Sequence, residues 1–187
     1  MTLRIYIDFK APAAYLALKP TLAFLEEVGV AGEWRPFVTQ QQPVPAEAPD
    51  EDRGATHRRV RALARQRTHL HYADVQGVTM HFPAGNFPGC TLALAAMTLL
   101  SEPVPFIEAA FASYWTLGED LDDPAVVTRL LNEVNANAAL DSLDVDALPE
   151  SWREVALEDG VVDVPAYVVG DQLFVGREHL PWLRTLV

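Results

Sequence analysis

The chain has 187 residues, half of them hydrophobic, which is enough for one sizeable core or for one domain with a large insertion. Its net charge of −12 argues against nucleic acid as a general partner, and no apolar run reaches the roughly 18 residues that a membrane span needs. The opening Met1-Thr2-Leu3-Arg4-Ile5-Tyr6 enters a strand pattern rather than a signal peptide, and the single cysteine, Cys90, excludes an internal disulfide, so a reducing, cytoplasmic setting is expected.

Leu3 to Phe9 alternates β-branched and aromatic residues and reads as a strand. Ala11-Pro12-Ala13-Ala14 then opens a helix, with Pro12 at or near its first position, where a missing N–H costs nothing. Tyr15, Leu16, Leu18, Leu22 and Leu25 continue it at helical spacing, Pro20 is expected to bend or split it, and Gly29 and Gly32 end it. Glu33 to Val38 is a second short strand, parallel to the first if the crossover has the usual hand. Gln40 to Asp52, rich in Pro, Gln and acid, reads as a loop.

Glu51 to about Ala73 is helical and basic, with Arg53, Arg58, Arg59, Arg61, Arg65 and Arg67 in one segment. These arginines make either a solvated helix face or, for one or two of them, contacts to an anionic ligand. His81 to Gly89 is punctuated by Pro and Gly. Leu92 to Leu100, Pro105 to Leu117 and Pro124 to Val134 read as helices, the last capped by Asp122 or Asp123. Ser151 to Asp159 is a short helix. Pro165 to Val169 and Gln172 to Val175 make a hairpin over Gly170-Asp171, and Gly176 leads into a last helix carrying Leu180, Leu183 and Leu186.

The order β-α-β, a block of helices, then α-β-β-α predicts an α/β chain with an all-helical insertion. It looks like a thioredoxin-like domain with its inserted helical domain: residues 1–39 and 149–187 form the thioredoxin-like part and 40–148 the insertion. Two segments narrow the resemblance. Ile7-Asp8-Phe9-Lys10-Ala11-Pro12-Ala13-Ala14-Tyr15-Leu16-Ala17 resembles the opening of the 2-hydroxychromene-2-carboxylate isomerases, relatives of the kappa-class glutathione transferases on the DsbA-like branch of this fold. Val164-Pro165-Ala166-Tyr167-Val168-Val169-Gly170-Asp171-Gln172-Leu173-Phe174-Val175-Gly176-Arg177-Glu178-His179-Leu180 resembles their ending. Pro105-Phe106 through Tyr114-Trp115 to Asp123-Pro124 is similar to the family's intervening helix and Asp-Pro turn.

The resemblance implies glutathione as cofactor, a small-molecule substrate and a homodimer. It places the sulfur at the start of the first helix, on Pro12 and Ala13, where N–H groups and the helix dipole favour a thiolate. It implies a cis bond at Val164-Pro165, whose exposed backbone pairs with the tripeptide like an added strand. It sets Arg177 and Glu178 against the γ-glutamyl end.

Two positions depart from the family. Its catalytic serine falls on Ala11, which has no hydroxyl. A lost hydrogen bond to a charged group, about 1.5–3 kcal/mol, raises a bound thiol's pKa by about one to two pH units. The sulfur then depends on the N–H groups of Ala13 and Ala14. The family's asparagine falls on Cys90, near a helix start; Cys90 is either a thiol aimed at the glutathione pocket or a small buried core residue.

No Cys-x-x-Cys is present, so disulfide cycling of that kind is excluded. His57, His69, His71, His81 and His179 are too scattered for a metal site. The expected function is a glutathione-dependent isomerase or transferase, and the alternative is a non-catalytic module that binds a thiol or a peptide.

Overall fold

A computed structural model describes residues 2–140 and 144–187. Four strands, β1 (Leu3–Ile7), β2 (Gly32–Pro36), β3 (Ala166–Val169) and β4 (Gln172–Val175), form one sheet in the order β2-β1-β3-β4. β2 runs parallel to β1, as a β-α-β unit requires, while β3 is antiparallel to β1 and to β4. The two central strands are covered on both faces, which is why β3 reads as a continuous apolar run rather than an alternation. Among the described residues seven α-helices accompany the sheet: α1 (Pro12–Val28), α2 (Arg53–Gln76), α3 (Thr91–Thr98), α4 (Val104–Ala112), α5 (Pro124–Glu133), α6 (Leu148–Glu158) and α7 (Leu180–Leu183). The architecture is a thioredoxin-like sheet with helices α2 to α5 inserted after β2. Among the described residues no helix is long and apolar enough to cross a membrane.

α1 departs from expectation in one respect. It passes through Pro20 as a single helix and ends where Gly29 adopts the left-handed conformation, φ 67°. Pro20 has no N–H to give to the Leu16 carbonyl one turn back. Arg177 supplies the missing donor: its Nη1 reaches that carbonyl at 3.0 Å.

The Pro105 to Leu117 stretch also differs. α4 stops at Ala112, and a π-helical turn, Ser113–Leu117, closes at Gly118. That widened turn holds Trp115, wholly buried, whose ring N–H donates to the Phe9 carbonyl at 2.9 Å. Trp115 also stacks on Tyr15 of α1, 6.0 Å between centroids, so the insertion is tied to the end of β1 and the start of α1. The last helix is a 3-10 turn, Arg177–His179, followed by the single turn of α7.

The two aspartates before α5 divide the capping. Asp123 accepts from Ala125 N–H and caps α5. Asp122 turns the other way and accepts from Leu92 N–H at the start of α3. Its carboxylate lies so close to Gly89 that a Cβ there would sit 1.8 Å from an oxygen, so any larger residue would push the Asp122 side chain off its bond to Leu92.

Candidate functional site: a cleft at the start of α1

After β1 the chain passes through Asp8 to Ala11, the residue that precedes α1. Ala11 N–H donates to the Asp8 carbonyl at 3.0 Å, which closes the turn. Ala11 has no side-chain cap to offer and is buried. Its carbonyl accepts from Ala14 N–H at 3.1 Å and Tyr15 N–H at 3.2 Å. Pro12 has no N–H. Of the two donors expected at this helix end, Ala14 is therefore already engaged, and Ala13 keeps the one N–H in this first turn without a partner among the described residues.

The Val164–Pro165 bond is cis. Pro165 is buried, and its carbonyl accepts from Gly176 N–H at 2.8 Å, fixing the loop to the end of β4. Val164 lines the same cleft as Ala11, Pro12 and Ala13. Its N–H, the group an added strand would use, donates to the Asp163 carboxylate at 2.8 Å. The cleft has a volume of about 890 Å³, and Arg65 and His69 of α2 and Arg153 of α6 stand around it. A hollow of about 510 Å³ shares Pro12, Gln40, Gln41, Arg65 and His69 with it, and extends it towards Arg58, Phe82 and Phe87.

His69 stacks on Phe82, 6.3 Å between ring centroids. Its pKa is lowered, first by burial and then by the positive charges of Arg65 and Arg177, so it is held neutral below the ordinary histidine range.

Cys90 stands at the start of α3 as its position in the sequence suggests, but its thiol does not face the cleft. It is 1 % exposed and donates to Asp8 Oδ1 at 3.0 Å. Burial, and then the neighbouring Asp8 charge, push the thiol well above its usual pKa. A helix start lowers a cysteine's pKa only where the sulfur meets the free N–H groups, and here the side chain turns into the core instead. In this structure Cys90 is a small buried residue between the start of α3 and Asp8, and it does not line the cleft.

Asp8 is the residue sequence reasoning passed over. It is fully buried, and its carboxylate accepts from Thr39 N–H at 2.7 Å, Thr39 Oγ1–H at 2.6 Å, Lys10 N–H at 3.2 Å and the Cys90 thiol. Burial pushes its carboxyl above the ordinary value, against the pull of Lys10 and of the donors from Thr39 and Cys90. The signal available was a lone aspartate between Ile7 and Phe9 in an otherwise apolar strand end. Such a residue is buried with its donors or not buried at all.

Arg177 and Glu178 are not in the cleft. They lie farther along α1, at a separate hollow with Pro20, Phe24 and Tyr72. Arg177 spends its guanidinium on Leu16 and on the face of Tyr72, 5.0 Å from the ring centroid. The resemblance placed all of these residues in one site; the structure brings together Ala11, Pro12, Ala13 and Val164, with Pro165 beneath them, and leaves the other two outside.

Among solved structures, a 2-hydroxychromene-2-carboxylate isomerase is similar at TM-score 0.73 and 16% identity, covering 99% of this chain and 93% of that one. The cytosolic disulfide reductase DsbM from Pseudomonas aeruginosa, solved with GSH, is similar at TM-score 0.64 and 17% identity, covering 99% and 96%. The probable DsbA oxidoreductase SCO1869 from Streptomyces coelicolor follows at TM-score 0.66 and 18% identity, covering 99% and 87%. No curated protein matches the chain. The family model for the DSBA-like thioredoxin domain matches residues 2–187, and with the cis-proline loop facing the start of α1, the chain belongs to that family.

Proposed function

We propose that the protein binds glutathione with its sulfur at the start of α1 and uses it in an isomerase or transferase reaction on a small molecule. The observation that carries this reading is the cleft in which the cis Val164–Pro165 loop faces the unpartnered N–H of Ala13. When bound, glutathione supplies a nucleophilic sulfur that adds reversibly to a conjugated double bond and allows rotation before it leaves. The chain's own part is to hold the sulfur as an anion through Ala13 N–H and the α1 dipole, and to orient the tripeptide along Val164. The fit is partial. The cleft is roomy, with Arg65 and Arg153 balanced by Glu150 and Asp163, but Ala11 donates no hydrogen bond and Asp163 occupies the Val164 N–H. Thiolate formation is therefore weaker than a serine at position 11 would allow. A reducing, cytoplasmic setting and a homodimer belong to the same proposal.

A second reading rests on Ala11 itself: with no hydroxyl and no cysteine in the cleft, the same surface serves as a non-catalytic module for a thiol or a peptide. Isothermal titration with glutathione separates the possibilities. The expected result is micromolar-to-millimolar binding that Ala13→Glu weakens roughly tenfold, the effect of about 1.4 kcal/mol from a fixed carboxylate taking the helix end. That carboxylate favours the helix, so the fold is kept. No binding up to millimolar glutathione rejects the glutathione reading. If glutathione binds, Ala11→Ser decides between enzyme and module: a gain in isomerase or transferase rate supports the enzyme, and an unchanged baseline supports the module.

A further inference from the structure

Twelve of the fourteen lysine and arginine side chains are paired with an acid or a carbonyl or lie outside both parts of the cleft; the two of α2 that face it, Arg58 and Arg65, are different in kind. Arg59 is paired with Glu51 at 2.9 Å and Glu47 at 3.7 Å. Arg53, Arg61 and Arg67 line neither part of the cleft. Arg58 and Arg65 do, and neither has a hydrogen bond or ion pair among the described residues. Arg65 lines both parts, whereas Arg58 lines only the outer hollow.

Seven residues apart on one helix, these two arginines share a face, about 10 Å from one another along the axis. His69 stands one turn beyond Arg65 on that face and is stacked on Phe82. Phe82 in turn meets Phe87 edge to face, 6.4 Å between centroids, and both rings rest on the buried Trp115. The hollow thus has an unpaired guanidinium on one wall and half-buried aromatic rings on the other. In a chain of net charge −12, acidic partners for an arginine are abundant, yet Arg65 meets none of them. A concave surface concentrates the field of such a charge on whatever enters it.

We propose that Arg65 is the specificity-determining residue of a second subsite, which takes an organic anion with its acid group on Arg65 and its apolar body on Phe82 and Phe87. Arg58 extends the positive wall outward. The subsite as a binding site stands on these residues alone; its role as the place of the co-substrate rests on the glutathione reading above. Sulfur at Ala13 and acid at Arg65 would then lie in one continuous cleft, with Arg65 where its two parts meet.

The probe is anilinonaphthalene sulfonate, followed by fluorescence, with phenylnaphthylamine as the same body without the acid. The expected result is that Arg65→Ala weakens the sulfonate about tenfold and leaves the neutral dye unchanged. Arg67→Ala, which removes the same charge from the opposite face of α2, has little effect. Arg65→Lys retains part of the affinity, because a point charge replaces a planar fork. Saturating glutathione leaves the dye bound. Equal losses in the Arg65 and Arg67 variants would mean only a diffuse field and overturn the proposal. So would a parallel loss of the neutral dye, displacement of the dye by glutathione, or no sulfonate binding at all. If the dye binds through Arg65 while glutathione binds nowhere, the subsite stands and the glutathione reading falls.

Discussion

Pro20 and Arg177 solve each other's problem, and neither is intelligible alone. The proline leaves the Leu16 carbonyl without a donor, and the guanidinium fills that vacancy from 161 positions away. Arg177→Ala should therefore destabilise the fold by about 1–2 kcal/mol, less than the full value of a charged hydrogen bond because the side chain is half exposed. In a Pro20→Ala background the new N–H meets Leu16, and the same arginine substitution should cost much less. Denaturant unfolding of the four proteins measures the coupling, and equal costs in both backgrounds would refute this account of Arg177. Cys90 gives a second test at this scale. Its thiol, buried and held by Asp8, should form no adduct with oxidised glutathione in the native protein and should react once the chain is unfolded; intact mass reads both. In the sequence, Pro20 was legible as a disturbance and Arg177 as part of a motif. Their meeting was not, because nothing local links positions so far apart.

Elements with a strong local pattern were legible: the alternation of β1, Gly29 at the end of α1, the Gly170-Asp171 hairpin and an aspartate before α5. Asp52, which accepts from Ala55 N–H at 2.7 Å, sets the start of α2 at Arg53 within two residues of expectation. The π turn was not legible, since its cause is the tertiary bond from Trp115 to Phe9 rather than any repeat in the sequence. Nor was the Asp8 network, which joins three elements: the end of β1, the Thr39 loop after β2 and Cys90 before α3. This network has a pH signature. The folded carboxyl titrates above its ordinary value of 3.8, mainly because it is buried, so the protonated form favours the fold. Its contribution is fully present below that value and is lost as pH rises through the raised folded value. Asp8→Asn is neutral throughout and has one acceptor oxygen for four donors. The stability advantage of the native protein over this variant should therefore shrink as pH rises above the ordinary carboxyl value of 3.8, when denaturant unfolding is compared at each pH. An advantage that grows over the same rise would show that the donors from Thr39, Lys10 and Cys90 outweigh burial, and that the carboxyl is depressed instead.

At the scale of the molecule, the cleft exists only because two parts of the chain hold a fixed distance. Ala13 and Val164 belong to the sheet and its first helix, whereas Arg65, His69, Phe82 and Phe87 come from the inserted helices. The joint between them is made of the Trp115 bond to Phe9, the stacking of Tyr15 on Phe111 and Trp115, and the Cys90–Asp8 contact. These contacts come from α1, β1's end and the insertion together, so residues 1–39 with 149–187 and residues 40–148 should unfold as one cooperative unit. Far-ultraviolet circular dichroism and tryptophan fluorescence should report the same midpoint. Trp115→Ala removes the largest wholly buried side chain and should cost about 3–5 kcal/mol. It should also weaken the sulfonate dye and glutathione alike, because the two walls no longer hold their spacing, whereas Arg65→Ala should weaken only the dye. Two separate transitions in the native protein would mean that the insertion folds independently. The cleft would then be a hinge between two bodies, and binding in its two parts would be set by their movement rather than by a fixed geometry.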